Sequence, residues 1–228
     1  MKGNFTSNQR HHFEEERARM ILALYDPARF QDSVLSESPD IINECSNIGV
    51  EVTDSMREDL QKKLSWARSI TGKTANSLSK TDKEHIRSHE VSARELPNGI
   101  IFAGTACWRE IYSVQNAYQK KLKKLNEDHF RKFRVNALFI YGWLMDDDEL
   151  EMSTSFFLKE VDNHSALLFD IVYIFCERSN SEWQLVEINI KEKSYVTFDI
   201  SSEQMNVISH SSFEKVIGKS HEELYGTK

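Results

Sequence analysis

A chain of 228 residues with 39% hydrophobic and 29% charged side chains has enough apolar surface to bury a globular core without disulfide or metal staples. Its net charge of −7 argues against coating nucleic acid by bulk charge alone, and it has no apolar run of bilayer-spanning length. The polar opening from Met1 to Arg10 lacks a signal peptide's apolar stretch, so a cytoplasmic protein is expected.

The first predicted element is a helix. Phe13, Arg17, Met20, Ile21 and Leu24 recur at helical spacing, with Asn8 as candidate cap. Glu14 and Glu16 sit at the edges of that stripe and Glu15 opposite it. Residues 40–43 and 48–53 then read as two strands of a hairpin joined by Glu44-Cys45-Ser46-Asn47. Alternation along the second strand puts Ile48, Val50 and Val52 on one face and Gly49, Glu51 and Thr53 on the other. A helix is predicted over about 55–69, with Met56, Leu60, Leu64 and Ala67 on one side, packing beside the Glu51 strand. Residues 71–97, poor in large apolar side chains, suggest an exposed loop or small helical insertion. Asn98-Gly99 is a turn signal before the short strand 100–102.

Ile111, Val114, Tyr118, Leu122 and Leu125 predict a second strong helix, crowded by Lys120, Lys121, Lys123 and Lys124. Four strands follow, at 137–143, 169–176, 183–190 and 195–200. Several are near-continuous apolar runs, as expected for strands covered on both faces of a sheet. Asp146-Asp147-Asp148-Glu149 lacks an EF-hand's spacing and glycine and reads as a solvated loop. The segment after about 201 is polar, with one weak helix near 211–217. With no internal repeat or clean boundary, residues 1–228 are expected to form a single α/β domain.

Charge is unevenly spread. From Tyr112 to Arg134 there are seven basic residues and two acids, whereas from Trp143 to the end there are seven and seventeen. Cys45, Cys107 and Cys176 are far apart with no Cys-x-x-Cys pair, and read as buried thiols. His85 and His89 have the spacing of a zinc-binding pair, but Ile86 replaces the glutamate of His-Glu-x-x-His. His11-His12 reads as an exposed pair. With eight glycines the chain has no phosphate loop, dinucleotide fingerprint or Gly-x-Ser-x-Gly elbow.

The most constraining pattern is Pro39-Asp40 followed by Glu51 eleven residues later. Two acids at neighbouring strands supply hard oxygen ligands that hold Mg²⁺ and leave positions for water and phosphate. The order of helix, Pro-Asp strand, Glu strand and helix resembles the PD-(D/E)xK superfamily of restriction-endonuclease-like nucleases, with Thr53 at the signature's lysine position. The resemblance implies an α/β restriction-endonuclease-like core, a central mixed sheet flanked by helices. It implies Asp40 and Glu51 as ligands of Mg²⁺ or Mn²⁺ and Glu14 as a further carboxylate from the first helix. Lys62 or Lys63 would replace the missing lysine, and Lys121 and Lys124 would contact substrate. The implied activity is hydrolysis of phosphodiester bonds in nucleic acid, with no membrane partner, homodimerisation left open and DNA not distinguished from RNA. The alternative is a non-catalytic binding protein on a degenerate nuclease fold, of the defence or immunity type that binds a partner. Thr53 and the acidic C-terminal third favour it.

Overall fold

Apolar runs too dense for a one-sided sheet dominate the middle of the chain, and a three-layer arrangement follows from them. The computed structural model describes residues 7–56, 58–104, 113–142, 145–159, 161, 167–178 and 182–217. In chain order these form α1 (Ser7–Tyr25), α2 (Pro27–Phe30), β1 (Val34–Leu35), β2 (Ile41–Asn43), β3 (Ile48–Asp54), α3 (Glu58–Ile70), α4 (Lys80–Arg87), β4 (Ser92–Glu95) and β5 (Ile101–Gly104). They continue with α5 (Ser113–Leu125), β6 (Val135–Gly142), α6 (Asp147–Lys159), β7 (Ile171–Glu177), β8 (Trp183–Asn189), β9 (Ser194–Ile200) and α7 (Ser202–Val216). The chain divides into two compact units, one of Met1–Ser55 with Val114–Lys228 and one of Met56–Ser113, where the sequence reading expects one domain with an insertion near 71–97.

The larger unit holds a seven-stranded mixed sheet in the order β1-β2-β3-β6-β7-β8-β9. β1, β2 and β3 are antiparallel neighbours, β3, β6 and β7 run parallel, and β8 and β9 return antiparallel. α1, α2 and α7 cover one face, where Ile21, Leu22, Phe30 and Met205 pack against Val50, Phe139 and Phe175. On the other face α5 and α6 bring Tyr118, Leu125 and Phe157 onto Leu138, Ile140, Val172 and Ile174. Each of these larger side chains contributes about 1.5–3 kcal/mol when fully buried, which accounts for β6 and β7 as the centre of the unit. The strongly apolar, β-branched and aromatic composition of both strands is what suits them to a position covered on both sides.

Several local expectations change. Asn8 lies inside α1 instead of capping it. The acids after β6, expected in a loop, open α6: Asp146 Oδ1 accepts from the Glu149 amide at 2.9 Å and Glu149 Oε2 from the Asp146 amide at 3.1 Å. That is the reciprocal arrangement of a capping box, and the acids also face the positive end of the helix dipole. Cys45 is exposed in the β2–β3 turn and not buried, whereas Cys176 is buried, and burial pushes its thiol up to about 11. Cys107, Ile111 and Trp143 lie outside the described residues. His12, expected to be exposed, is buried beside Glu15.

In the smaller unit, α3, α4 and the β4–β5 hairpin enclose Ala67, Ile70, Val91, Ile101 and Ala103. α4 and β4 occupy much of the stretch read as a loop or helical insertion. Ser79 caps α4 through the Asp82 amide, and Lys73 Nζ reaches Asp82 Oδ2 at 2.6 Å. Gly99, at φ +76°, takes the left-handed position in the hairpin turn, a conformation available to glycine at little cost. His85 stacks on Trp66 with ring centroids 3.8 Å apart and bonds Glu90 through Nδ1, while His89 is exposed with φ +60° at the end of α4. No described helix is long and apolar enough to cross a membrane.

Candidate active site

The hairpin of β2 and β3 sets the geometry. Its register pairs Ile41 with Val50, so one further step sets Asp40 opposite Glu51, and directly opposed residues of an antiparallel pair share a face. β2 ends at Ile41. The Asp40 carbonyl turns back to the Ser36 amide at 2.8 Å, and the Asp40 carboxylate takes the Val52 amide, Oδ2 accepting at 2.6 Å. Gly49 makes room on the same face: a Cβ there would fall 2.6 Å from both Pro39 Cγ and Phe133 Cδ2. Pro39, immediately before Asp40, therefore rests on the bare backbone of Gly49.

Glu51 projects toward α5, on the side of the sheet opposite Val50 and Val52. It is fully buried, unlike an ordinary exposed strand residue. Its Oε1 accepts from Lys121 Nζ at 2.6 Å and from Lys124 Nζ at 2.5 Å, while Oε2 is buried with no hydrogen-bond partner. Lys121 and Lys124 are three apart on α5 and so share a helix face. Both are half-buried. They extend the buried row begun by Val114 and Ala117, a signal readable in the sequence. Both contact the Glu51 carboxylate, where the sequence reading expects contact with substrate.

Asp40 is only 8% exposed. Burial, reinforced by the neighbouring Glu51 carboxylate and by Glu15, holds its carboxyl well above the usual aspartate range, against the pull of Lys121 and the Val52 amide. Lys124 is raised: burial works against its charge, and Glu51, Asp40 and Glu127 overcome it. Two acids and two ammonium groups thus form one electrostatic unit.

The remaining expected site residues fall as follows. Glu15 of α1 is among the charges that raise Asp40; Glu14, the glutamate expected at the site, has Oε1 held by Arg10 Nε at 2.9 Å, and its carbonyl accepts from the Tyr141 hydroxyl at 2.7 Å. Glu16 is buried in a structural pair with Arg19. Thr53 lies on β3, half-buried, two residues beyond Glu51 and on its face. Lys62 is exposed and Lys63 half-buried on α3 of the smaller unit.

Among the described residues no group of three or more His, Cys, Asp or Glu is gathered to hold a metal ion. Mg²⁺ commonly uses only one or two carboxylates, completing its shell with water and phosphate oxygens. The two opposed carboxylates and the unpartnered Oε2 of Glu51 fit that smaller requirement. Comparison of the chain with protein families, with curated proteins and with solved structures gives no match.

Proposed function

We propose that this protein is a Mg²⁺-dependent nuclease, or a close derivative of one, built on a restriction-endonuclease-like core. The observation that carries the reading is the meeting of Asp40, Glu51, Lys121 and Lys124 at one buried point on the central sheet. Supporting it are the order α1, then β2, β3 and α3, with α2 and β1 between α1 and β2, and the mixed sheet flanked by helices, which accord with the resemblance of Pro39-Asp40 and Glu51 to the superfamily signature. Asp40 and Glu51, through Oε2, would hold the cation, with Glu15 as an outer carboxylate. When bound, Mg²⁺ lowers the pKa of a coordinated water and offsets charge on the phosphate. Lys121 and Lys124 provide the positive charge that Thr53 lacks. Their ammonium groups bond the Glu51 carboxylate and can turn a donor toward a phosphate oxygen or the attacking water.

The test pairs cleavage with binding. Asp40→Asn and Glu51→Gln keep the size of each side chain and are expected to remove Mg²⁺-dependent cleavage of a labelled oligonucleotide by a hundredfold or more, with the circular dichroism spectrum unchanged. Mg²⁺ or Mn²⁺ at about ten times its Kd should stabilise the wild-type chain by about 1.4 kcal/mol, a rise in Tm of roughly 3–5 °C that both variants lose. Cleavage surviving both substitutions rules out these ligands.

One observation favours the second reading, a non-catalytic binding protein: Glu51 Oε1 already receives two ammonium groups and both carboxylates are closed to solvent. Under that reading neither cleavage nor a metal-dependent rise in Tm is seen.

A further inference from the structure

Of the seven cations between Tyr112 and Arg134, six divide into two sets. Lys121 and Lys124 turn inward to Glu51, whereas Lys120, Lys123, Lys132 and Arg134 are exposed and, among the described residues, none of these four has an acidic partner. Arg131, the seventh, is tied to Glu44 at 2.7 Å in the β2–β3 turn. Of the two acids in the stretch, Glu127 faces His129 at 3.2 Å. The C-terminal dipole of α5 accounts for lysines in its last turn but not for Lys132 and Arg134 beyond it.

The outer set is continuous with the candidate site. Lys124 lies over the Phe130 ring, and Phe133, between Lys132 and Arg134, packs at Gly49 on the face of β3 that carries Glu51. The Arg134 amide is fixed by Asn47 Oδ1 at 2.9 Å, and its neighbour Val135 pairs with Ile48. Ile48 is three residues along β3 from Glu51, roughly 10 Å, a span of about three phosphates at the axial spacing of one strand.

We propose that Lys120, Lys123, Lys132 and Arg134 form a rim that contacts the phosphates of a nucleic-acid strand and leads it to Asp40 and Glu51. What waits at the end of the track rests on the nuclease reading; the affinity of the rim for a phosphodiester backbone does not. Unpaired cations in register with a buried acidic site, on a chain that is acidic overall, suit a polyanion that must be held locally and not coated.

Fluorescence anisotropy of a labelled DNA duplex with the full chain in EDTA, from about 50 to 200 mM salt, tests this. Four phosphate contacts give a slope of log K against log salt near −3.6, about a hundredfold loss of affinity over that range. Changing all four residues to Gln is expected to flatten the slope by three or more and weaken binding at least tenfold at the lowest salt. If the fourfold variant unfolds, the pair Lys120→Gln and Lys132→Gln should lose about half the slope. A wild-type slope in the folded variants, or no binding by the wild-type chain, overturns the rim. Salt-dependent binding through the rim, with neither cleavage nor a Mg²⁺-dependent rise in Tm, overturns the nuclease reading and leaves the rim standing.

Discussion

The Glu51 carboxylate sits at a fully buried position, and its two lysine partners compensate for its lost contact with water. Removing one member of such a cluster strands the others away from water, which costs more than the cluster itself contributes. Glu51→Ala is therefore expected to destabilise the protein by about 3–5 kcal/mol in urea denaturation. The combination with Lys121→Met and Lys124→Met should recover most of that loss; equal destabilisation of the single and triple variants would show that the lysines relax into solvent. At this scale the sequence was partly legible. Proline-aspartate and a glutamate on an alternating strand were enough to single out Asp40 and Glu51, because strand periodicity is local. The partner lysines come from a helix some seventy residues later, and only their continuation of an apolar row hinted that they turn inward. Glu15 left no such hint: its influence on Asp40 depends on how α1 lies on the sheet.

Among the elements, α1 is held by an ionic tie in addition to its apolar face. Glu16 receives Arg19 through two hydrogen bonds and Lys215 of α7 at 2.9 Å, and Arg19 extends to the Ser33 carbonyl. Burial alone would raise Glu16, but Arg19 and Lys215 hold it below its ordinary value. The folded state thus binds this proton less readily than the unfolded chain, and the tie stabilises above the ordinary glutamate pKa and fades as pH falls through the lowered one. Because Lys215 is half exposed, Lys215→Gln should cost only about 0.5–1 kcal/mol at pH 7 and progressively less as pH falls below the ordinary glutamate range, read from urea midpoints. A difference that does not shrink in acid would assign the effect to packing. Helices with an apolar row were visible in the sequence. α6 was missed because four acidic residues look like solvent-facing loop until they are recognised as a helix start with an Asp-x-x-Glu box.

For the molecule as a whole, the uneven distribution of buried apolar surface predicts uneven stability. β6 and β7 are covered on both faces, while among the described residues unit Met56–Ser113 buries five small or medium apolar side chains. Hydrogen exchange followed by mass spectrometry should find the amides of β6 and β7 slowest and those of 58–104 among the fastest of the described helices and strands. Uniform protection would mean that both units open together. The boundary between them was hidden because the smaller unit has too few large apolar residues to announce a core.

The two margins of the large sheet differ in one more respect. β1 ends one side after two residues, whereas β9 ends the other with seven, regularly paired to β8, free of proline, and with Tyr195 and Val196 more than half exposed. Natural sheets discourage lateral growth with lysine, proline, bulges or brevity at such margins. Here brevity guards one border and the lone carboxylate of Asp199 the other, so any extra strand, from a fusion tag or a crowded neighbour, has a single direction in which to add.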